Sequence, residues 1–475
     1  MSDAGRRLLV VVILIAVFGG VAVVDRVVGR GPGSPPPSAV SAESTQRIAP
    51  VGVESAAWYC AGGTAAAGGG AVTLLLVNTG PAPIRGVDTA RSTDGAASSV
   101  PVVVPARGSA DVALGTVGAG SAVAASVVFD GGGVGVWEEV EDSSGWSVTP
   151  CASTLSPQWY FAHGSTQTGD TFALALYNPG VTDAVTDVAL LTSTEGLVAP
   201  AAFQGVDVGA GSLVVENVGD HVQDTPAIGA EVTTLSGSLV AFELQTTGQP
   251  GQDGSSLLLG APGPSGLSAF AQSTDPTGGG LTYYLMNPSA HPVVVSAAIG
   301  LQRGSASPIA LSVARQATAT LDAADQPRIP QSTPYSLTFS STGSGVVVVR
   351  VVRAPSSAPS PQVGITNARA VGPMRWVVPS VPPPGTGPWY LAVGDLAGRS
   401  VTVTVRSASH TGWQRVPIAS GRIVPGTPLL VGPEPGAPIG TAPLEVVASG
   451  PVAVQLDAVP AGGPGVVVLP ALALG

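Results

Sequence analysis

Trp159-Tyr160-Phe161-Ala162-His163-Gly164, followed by Leu174-Ala175-Leu176-Tyr177-Asn178-Pro179-Gly180, is the stretch that decides the fold. An aromatic lead strand comes first, then an apolar strand that stops in a tight turn. Asn, Pro and Gly suit such a turn because they supply a preset φ, a positive φ, or a side chain that bonds its own backbone. The same phrase opens at Trp58-Tyr59-Cys60-Ala61-Gly62 and continues to Leu74-Leu75-Leu76-Val77-Asn78-Thr79-Gly80. Weaker copies read Ala269-Phe270-Ala271 with Tyr284-Leu285-Met286-Asn287-Pro288-Ser289, and Trp376-Val377-Val378 with Leu391-Ala392-Val393-Gly394-Asp395. A unit of about a hundred residues thus occurs four times, which predicts an array of β modules rather than one catalytic core.

Two further landmarks recur in each copy. One is a strand entered through small residues, as at Ala106-Arg107-Gly108-Ser109 and Gly209-Ala210-Gly211-Ser212, with a looser Arg315-Gln316-Ala317-Thr318. The other reads as a hairpin: apolar arms around Gly131-Gly132-Gly133, Ser236-Gly237-Ser238, Gly343-Ser344-Gly345 and Ser449-Gly450-Pro451. The 64 Gly and 44 Pro of the 475 residues interrupt any helix, and Val-rich runs such as 100–104, 346–352 and 401–405 read as strands. The expected class is all-β, with tandem immunoglobulin-like β-sandwich repeats. A closed propeller-like ring is the alternative. It is motivated by a phrase before the lead aromatics (Arg47-Ile48-Ala49-Pro50, Trp146-Ser147-Val148-Thr149-Pro150, Val363-Gly364-Ile365-Thr366) that returns as Val466-Val467-Val468-Leu469-Pro470 after the fourth copy.

The N-terminus reads as export machinery. Residues 1–7 form a cytoplasmic stub with Arg6-Arg7, and residues 8–24 carry no charge, as expected of a transmembrane signal anchor. Secretion after signal cleavage, with Gly20-Val21-Ala22 as the small-residue site, is the other reading. Residues 25–46 form a Pro/Ser/Gly-rich spacer, and the repeats are expected at 47–152, 153–250, 251–360 and 361–475. The only two cysteines, Cys60 and Cys151, predict a disulfide in an exported chain; two buried free thiols are the alternative.

The formal net charge is −11, and all 19 basic residues are Arg. No basic stripe or recognition motif is present, so no nucleic-acid partner is expected. The four histidines (His163, His221, His291, His410) lack zinc-ligand spacing, and no G-x-S-x-G elbow occurs. The densest acidic cluster, Glu138-Glu139 with Glu141-Asp142, is split by strand alternation. No catalytic residue, metal or cofactor is therefore assigned. The aromatic pairs Trp58-Tyr59, Trp159-Tyr160 and Trp389-Tyr390 are the candidate binding residues, since an exposed ring on a β surface stacks on sugars or anchors a protein. Their alternative role is to fill the core and cover joints between modules.

The anchor, the spacer and the Trp-Tyr-Phe-Ala-x-Gly … Leu-x-Leu-x-Asn-Pro-Gly repeats together resemble a family of actinobacterial, membrane-anchored secreted proteins of uncharacterised function. The likeness is best over residues 159–244. It implies a location at the cell envelope and brings no catalytic residues. The expected function is non-catalytic binding or scaffolding outside the cytoplasmic membrane, which the N-terminal helix would engage, with a wall glycan or envelope protein as partner. A carbohydrate-binding array on wall polysaccharide and an accessory subunit of a membrane enzyme such as a glycosyltransferase are the alternatives.

Overall fold

The computed structural model describes residues 46–475, apart from segments 64–70, 119–121, 142–145, 249–253, 274–278, 354–362, 371–373, 380–388, 396–398, 417–419, 432–441, 459–466 and several stretches of one or two residues. The expected stub, anchor and nearly all of the spacer, like His410 and Asp142, lie outside the described residues. No helix among the described residues is long and apolar enough to cross a membrane. The described chain is almost entirely strand, arranged as four modules of two facing antiparallel sheets.

β1 (Arg47–Ile48) precedes module 1, whose strands are β2 (Ala56–Gly63), β3 (Ala71–Asn78), β4 (Ile84–Ser92), β5 (Ala97–Val104), β6 (Gly108–Ala113), β7 (Val123–Phe129), β8 (Val134–Glu141) and β9 (Trp146–Pro150). They form sheets β2-β7-β4-β5 and β6-β3-β8-β9. The period-2 pattern sets the core: Val72, Leu74 and Leu76 of β3 are buried against Val127 and Phe129 of β7, while Thr73 and Leu75 turn outward. The other modules repeat this plan with lead strands Gln158–Phe161, Leu267–Ser273 and Arg375–Val378.

The structure corrects the fourth landmark. β7 and β8 do not pair with each other; they lie in opposite sheets, as do Ile228–Ser236 and Val240–Thr247. The Gly-rich turn between them is an arch that carries the chain across the sandwich. Both arms are apolar on the face they turn to a shared core, so an arch and a hairpin leave the same pattern in sequence. The lead tryptophan fastens the arch: the indole N–H of Trp58 donates to Val134 O at 2.9 Å, and that of Trp159 to Leu239 O at 2.9 Å.

A buried asparagine ties the two sheets together at the other turn. Asn78 Nδ2 donates to Ala82 O (2.8 Å) and to Val104 O at the end of β5 (3.3 Å), while its Oδ1 accepts from Gly80 N (2.8 Å). Asn178 repeats this with Thr182 O, Val208 O and Gly180 N, and Asn287 with His291 O, Val313 O and Ser289 N. The amide fits because it alone offers two donors and an acceptor on so short a side chain.

Module boundaries differ from the sequence expectation at 250 and 360. The strand Gly254–Leu259 pairs with Val240–Thr247 of module 2, and Val363–Asn367 with Val347–Arg353 of module 3. The Val-rich phrase read as preceding each lead aromatic is the last strand of the module before it. Likewise Val467–Pro470 completes the second sheet of module 4. β1, expected in repeat 1, instead pairs in parallel with Leu472–Leu474 of module 4, with Arg47 opposite Ala473 and Ile48 opposite Leu474.

Asn178→Ala should lower the stability of module 2 by about 2–4 kcal/mol, because two carbonyls and one amide are left buried without their partner. Gln316→Gly should act the other way. Gln316 holds φ 48° where module 2 has Gly211 at φ 65°, so relief of the left-handed strain should contribute about 0.5–1 kcal/mol. Urea unfolding of the two variants beside wild type measures both.

Candidate functional site

The aromatic pairs are placed as alternation demands. Trp58 and Trp159 are fully buried in their sandwiches. Their neighbours Tyr59 and Tyr160 turn to the opposite side of the lead strand, where the next module packs. Tyr59 is half-buried, and Tyr160 is 5% exposed in an apolar cluster with Tyr284, Met286 and Val349 of module 3. Trp389 and Tyr390 begin the strand Trp389–Asp395, and Tyr390 is 40% exposed. Of the two tyrosines beside a buried Trp, then, both sit at joints, while Tyr390 keeps an open face.

The joints follow one rule. The lead-strand sheet of each module packs on the outer face of the next module's second sheet. Between modules 1 and 2, Ser126 of β7 and the Tyr177 hydroxyl are 2.6 Å apart. Between modules 3 and 4 the contact is nearly all alanine: Ala269 and Ala271 on Ala392 and Ala453. There Gln455 of module 4 accepts from Ala271 N at 3.0 Å and donates to Gln272 O at 2.8 Å. Module 4 meets module 1 through β1: Ile48 and Leu472 lie against Gly135 and Trp137 of β8, and the Trp137 indole N–H donates to Pro470 O at 2.7 Å. The last strands of the four modules also touch in sequence. Leu259 N donates to Thr149 Oγ1 (3.1 Å), and Asn367 Nδ2 donates to Leu259 O (2.7 Å). Val467–Pro470 contacts both Val363–Asn367 and β9.

Beneath the joints, one core position holds an ionisable residue in three modules. Glu138, Glu243 and Arg350 stand opposite Leu74, Leu174 and Tyr283, each four residues before the conserved-in-place Asn of its own repeat. Glu138 and Arg350 each reach the end of a lead strand, whereas both oxygens of Glu243 are buried without a hydrogen-bond partner. In module 1 the strand bulges between Ala61 and Gly63, and Glu138 Oε1 accepts from Gly63 N at 3.2 Å. In module 3 it bulges between Phe270 and Ser273, and Arg350 donates to Gln272 O and to Ser273 Oγ. Arg350 also pairs with Asp457 of module 4 at 3.2 Å. In module 2 the neighbouring Gln245 takes over, accepting from Ser165 N at 2.9 Å. A bulge leaves ladder groups unpaired, and these side chains satisfy them. Module 4 has Leu456 in that place. Sequence reasoning missed this role; a lone charge inside an apolar strand was the signal available.

Burial pushes the Glu138 carboxyl up to about 8 against the pull of the backbone donors, and pushes that of Glu243 well above the usual range. His163 is held neutral: burial, then the nearby Arg353 charge, lowers it to about 3, and its ring packs tilted against Tyr284, with centroids 4.2 Å apart. Glu139 and Glu141 point away from Glu138, so the acidic run is divided. Glu139 instead accepts from the Trp146 indole. His221 packs edge-on against Phe203.

Cys60 and Cys151 are joined in a disulfide with Cα atoms 4.7 Å apart. Both sulfurs lie within 4.8 Å of a Glu138 oxygen; bonded to each other, they offer no thiolate to a metal. In module 2 the equivalent pair is Phe161 and Gly260, and a Cβ on Gly260 would sit 2.8 Å from the Phe161 ring. The aromatic ring fills the space the disulfide occupies in module 1.

No protein-family model and no curated protein matches the chain. Among solved structures, Thermotoga maritima 1070 is similar over 22% of this chain and 90% of its own, at 18% identity and TM-score 0.19. A tetra-tandem repeat from the extending region of a large adhesion protein aligns over 90% of this chain and 98% of its own, at 12% identity and TM-score 0.11. Trypsin-activated alpha-2-macroglobulin from Escherichia coli aligns over 89% and 42%, at 9% identity and TM-score 0.12. Likenesses this slight carry no argument about function.

The Glu138 carboxyl predicts a pH signature. Folded, it keeps its proton to about pH 8; unfolded, it releases it near 4.5. Its protonated burial is fully tolerated below the lower value, and stability falls as pH rises through that window, by at most about 5 kcal/mol. Glu138→Gln should flatten the decline, so that its melting temperature gains on wild type from pH 5 to pH 8. A parallel fall in both proteins would refute the assignment.

Proposed function

We infer that this chain is a non-catalytic extracytoplasmic protein in which four immunoglobulin-like sandwiches close into a ring that serves binding or scaffolding. The pairing of β1 with Leu472–Leu474 carries this reading. It supplies the fourth joint that a straight array would lack, and Trp137 seals it. Among the buried titratable groups, Glu138 turns one oxygen to the backbone, Arg350 its guanidinium to backbone and Asp457, and His163 a ring face to Tyr284, while Glu243 faces the core with neither oxygen hydrogen-bonded. That use favours structure over catalysis. The anchor and spacer expected from the sequence support a location outside the cytoplasmic membrane, and the disulfide fits that compartment. Tyr390 favours a second reading, sugar binding, because it alone of the candidate tyrosines is exposed beyond a third.

Small-angle scattering from residues 42–475 tests the ring. A closed arrangement should give a maximum dimension near 60 Å, against well above 100 Å for a rod of four sandwiches of roughly 35 Å each. The rod value would overturn the closed reading. A specific hydrolase or transferase activity in the pure protein would overturn the non-catalytic one.

A further inference from the structure

One sheet face stands apart in charge. The lead-strand sheet of module 4 runs Arg375–Val378, Leu444–Ala448, Val401–Ser409 and Gly412–Arg415, with Gly421–Ile423 also on Val401–Ser409. Its inward residues, Trp376, Val401, Val403, Val405, Leu444 and Val446, are buried in the core. Val377, opposite Glu445 on the outer side of this sheet, is fully buried near the closing contact; beyond it the register fixes what the outer face shows. Arg406 stands opposite both Glu445 and Arg415; Arg375 opposite Val447, itself opposite Thr404; Arg422 opposite Thr402; and Trp413 opposite Ala408. Among the described residues, Arg375, Arg406, Arg415 and Arg422 therefore share one face with a single carboxylate, on a chain whose net charge is −11.

That carboxylate orders the face instead of cancelling it. Glu445 is 1% exposed and holds two guanidiniums, Arg375 Nη2 at 2.6 Å and Arg406 Nη1 at 3.2 Å. The two side chains remain 54% and 40% exposed while each is anchored to Glu445 through one nitrogen. Guanidinium forks of this kind match carboxylate and phosphate groups. Arg415 and Arg422 are exposed on the two outer strands, and Trp413 lies two residues from Arg415 on the same side. At strand spacing the charges spread over roughly 10–15 Å in each direction, too wide for one small anion and suited to successive units of a polymer. A half-buried indole beside them offers a flat surface to a sugar ring.

We propose that this face binds an anionic polysaccharide, its acidic groups held by Arg375, Arg406, Arg415 and Arg422 and one ring stacked on Trp413. The proposal deepens the binding reading above and does not need the ring to be closed, so the scattering result leaves it standing or falling by itself. The test is binding of the full-length protein to three probes at about 50 mM and about 500 mM salt: polygalacturonate, neutral dextran, and inorganic polyphosphate. Wild type should bind polygalacturonate, lose most of that affinity at the higher salt, and ignore dextran. The double variant Arg415→Glu, Arg422→Glu, at exposed positions, should bind at least about tenfold more weakly with an unchanged unfolding midpoint. Trp413→Ala should weaken polygalacturonate and leave polyphosphate unaffected. Equal binding by the charge-reversed variant, equal binding to dextran, or binding to polyphosphate alone would overturn the proposal.

Discussion

Every module of this chain has an outer sheet face too apolar to leave in water, and the closing contact at β1 is what lets all four be covered. The joints are head-to-tail: a lead-strand sheet on one side, a second-sheet face on the other. Such an interface repeats without end unless it closes. Three joints come from connectivity alone. The fourth must be made by strands far apart in sequence, and here Ile48, Leu472 and Trp137 make it. Without it, the outer sides of Val377 and Trp137, both fully buried, would face solvent on two modules at once.

The interior obeys a second constraint, which is to leave no backbone group stranded. Arches and bulges let the chain switch sheets, but each interrupts a ladder. The repeated Asn answers at one turn, the lead Trp at the arch, and Glu138 or Arg350 at the bulge. An ionised carboxylate would be costly in that place. Burial raises Glu138 until it is held protonated at neutral pH, so the polar contact survives without a buried charge. Arg350 is paired with Asp457 instead.

Much of this was legible from residue order, and the limits of that reading are instructive. The repeat, the strand class and the disulfide all show in local pattern: Trp-Tyr alternation, Asn-Pro-Gly turns, an even cysteine pair. The arches did not, because an apolar run turning at glycine has the same period whether its arms bond to each other or face each other across a core. Module ends near 250 and 360 shifted because the last strand, judged by its position before the next Trp, belongs by hydrogen bonding to the previous unit. The arginine face was invisible for a different reason. Its residues are scattered from 375 to 422 among Val and Thr, and only cross-strand register gathers them on one side.

The disulfide stands in one module only, and its position gives a reason. Cys60 lies on β2 and Cys151 just past β9, so the bond ties both ends of module 1 together. Tyr59 and Ala152 exchange backbone hydrogen bonds beside it, and the next residue, Ser153, donates from N and from Oγ to Gln46 immediately before β1. Module 1 is thus fixed at the point where the chain enters and where module 4 must return. A closure of 91 residues removes roughly 4.6 kcal/mol of unfolded-state freedom. Modules 2 and 3 have covalently connected neighbours on both sides and fill the same core site with Phe161 and Phe270. In module 1 a frayed β2 or β9 would release β1 with it, and the covalent bond joins the two strand ends that lie beside β1.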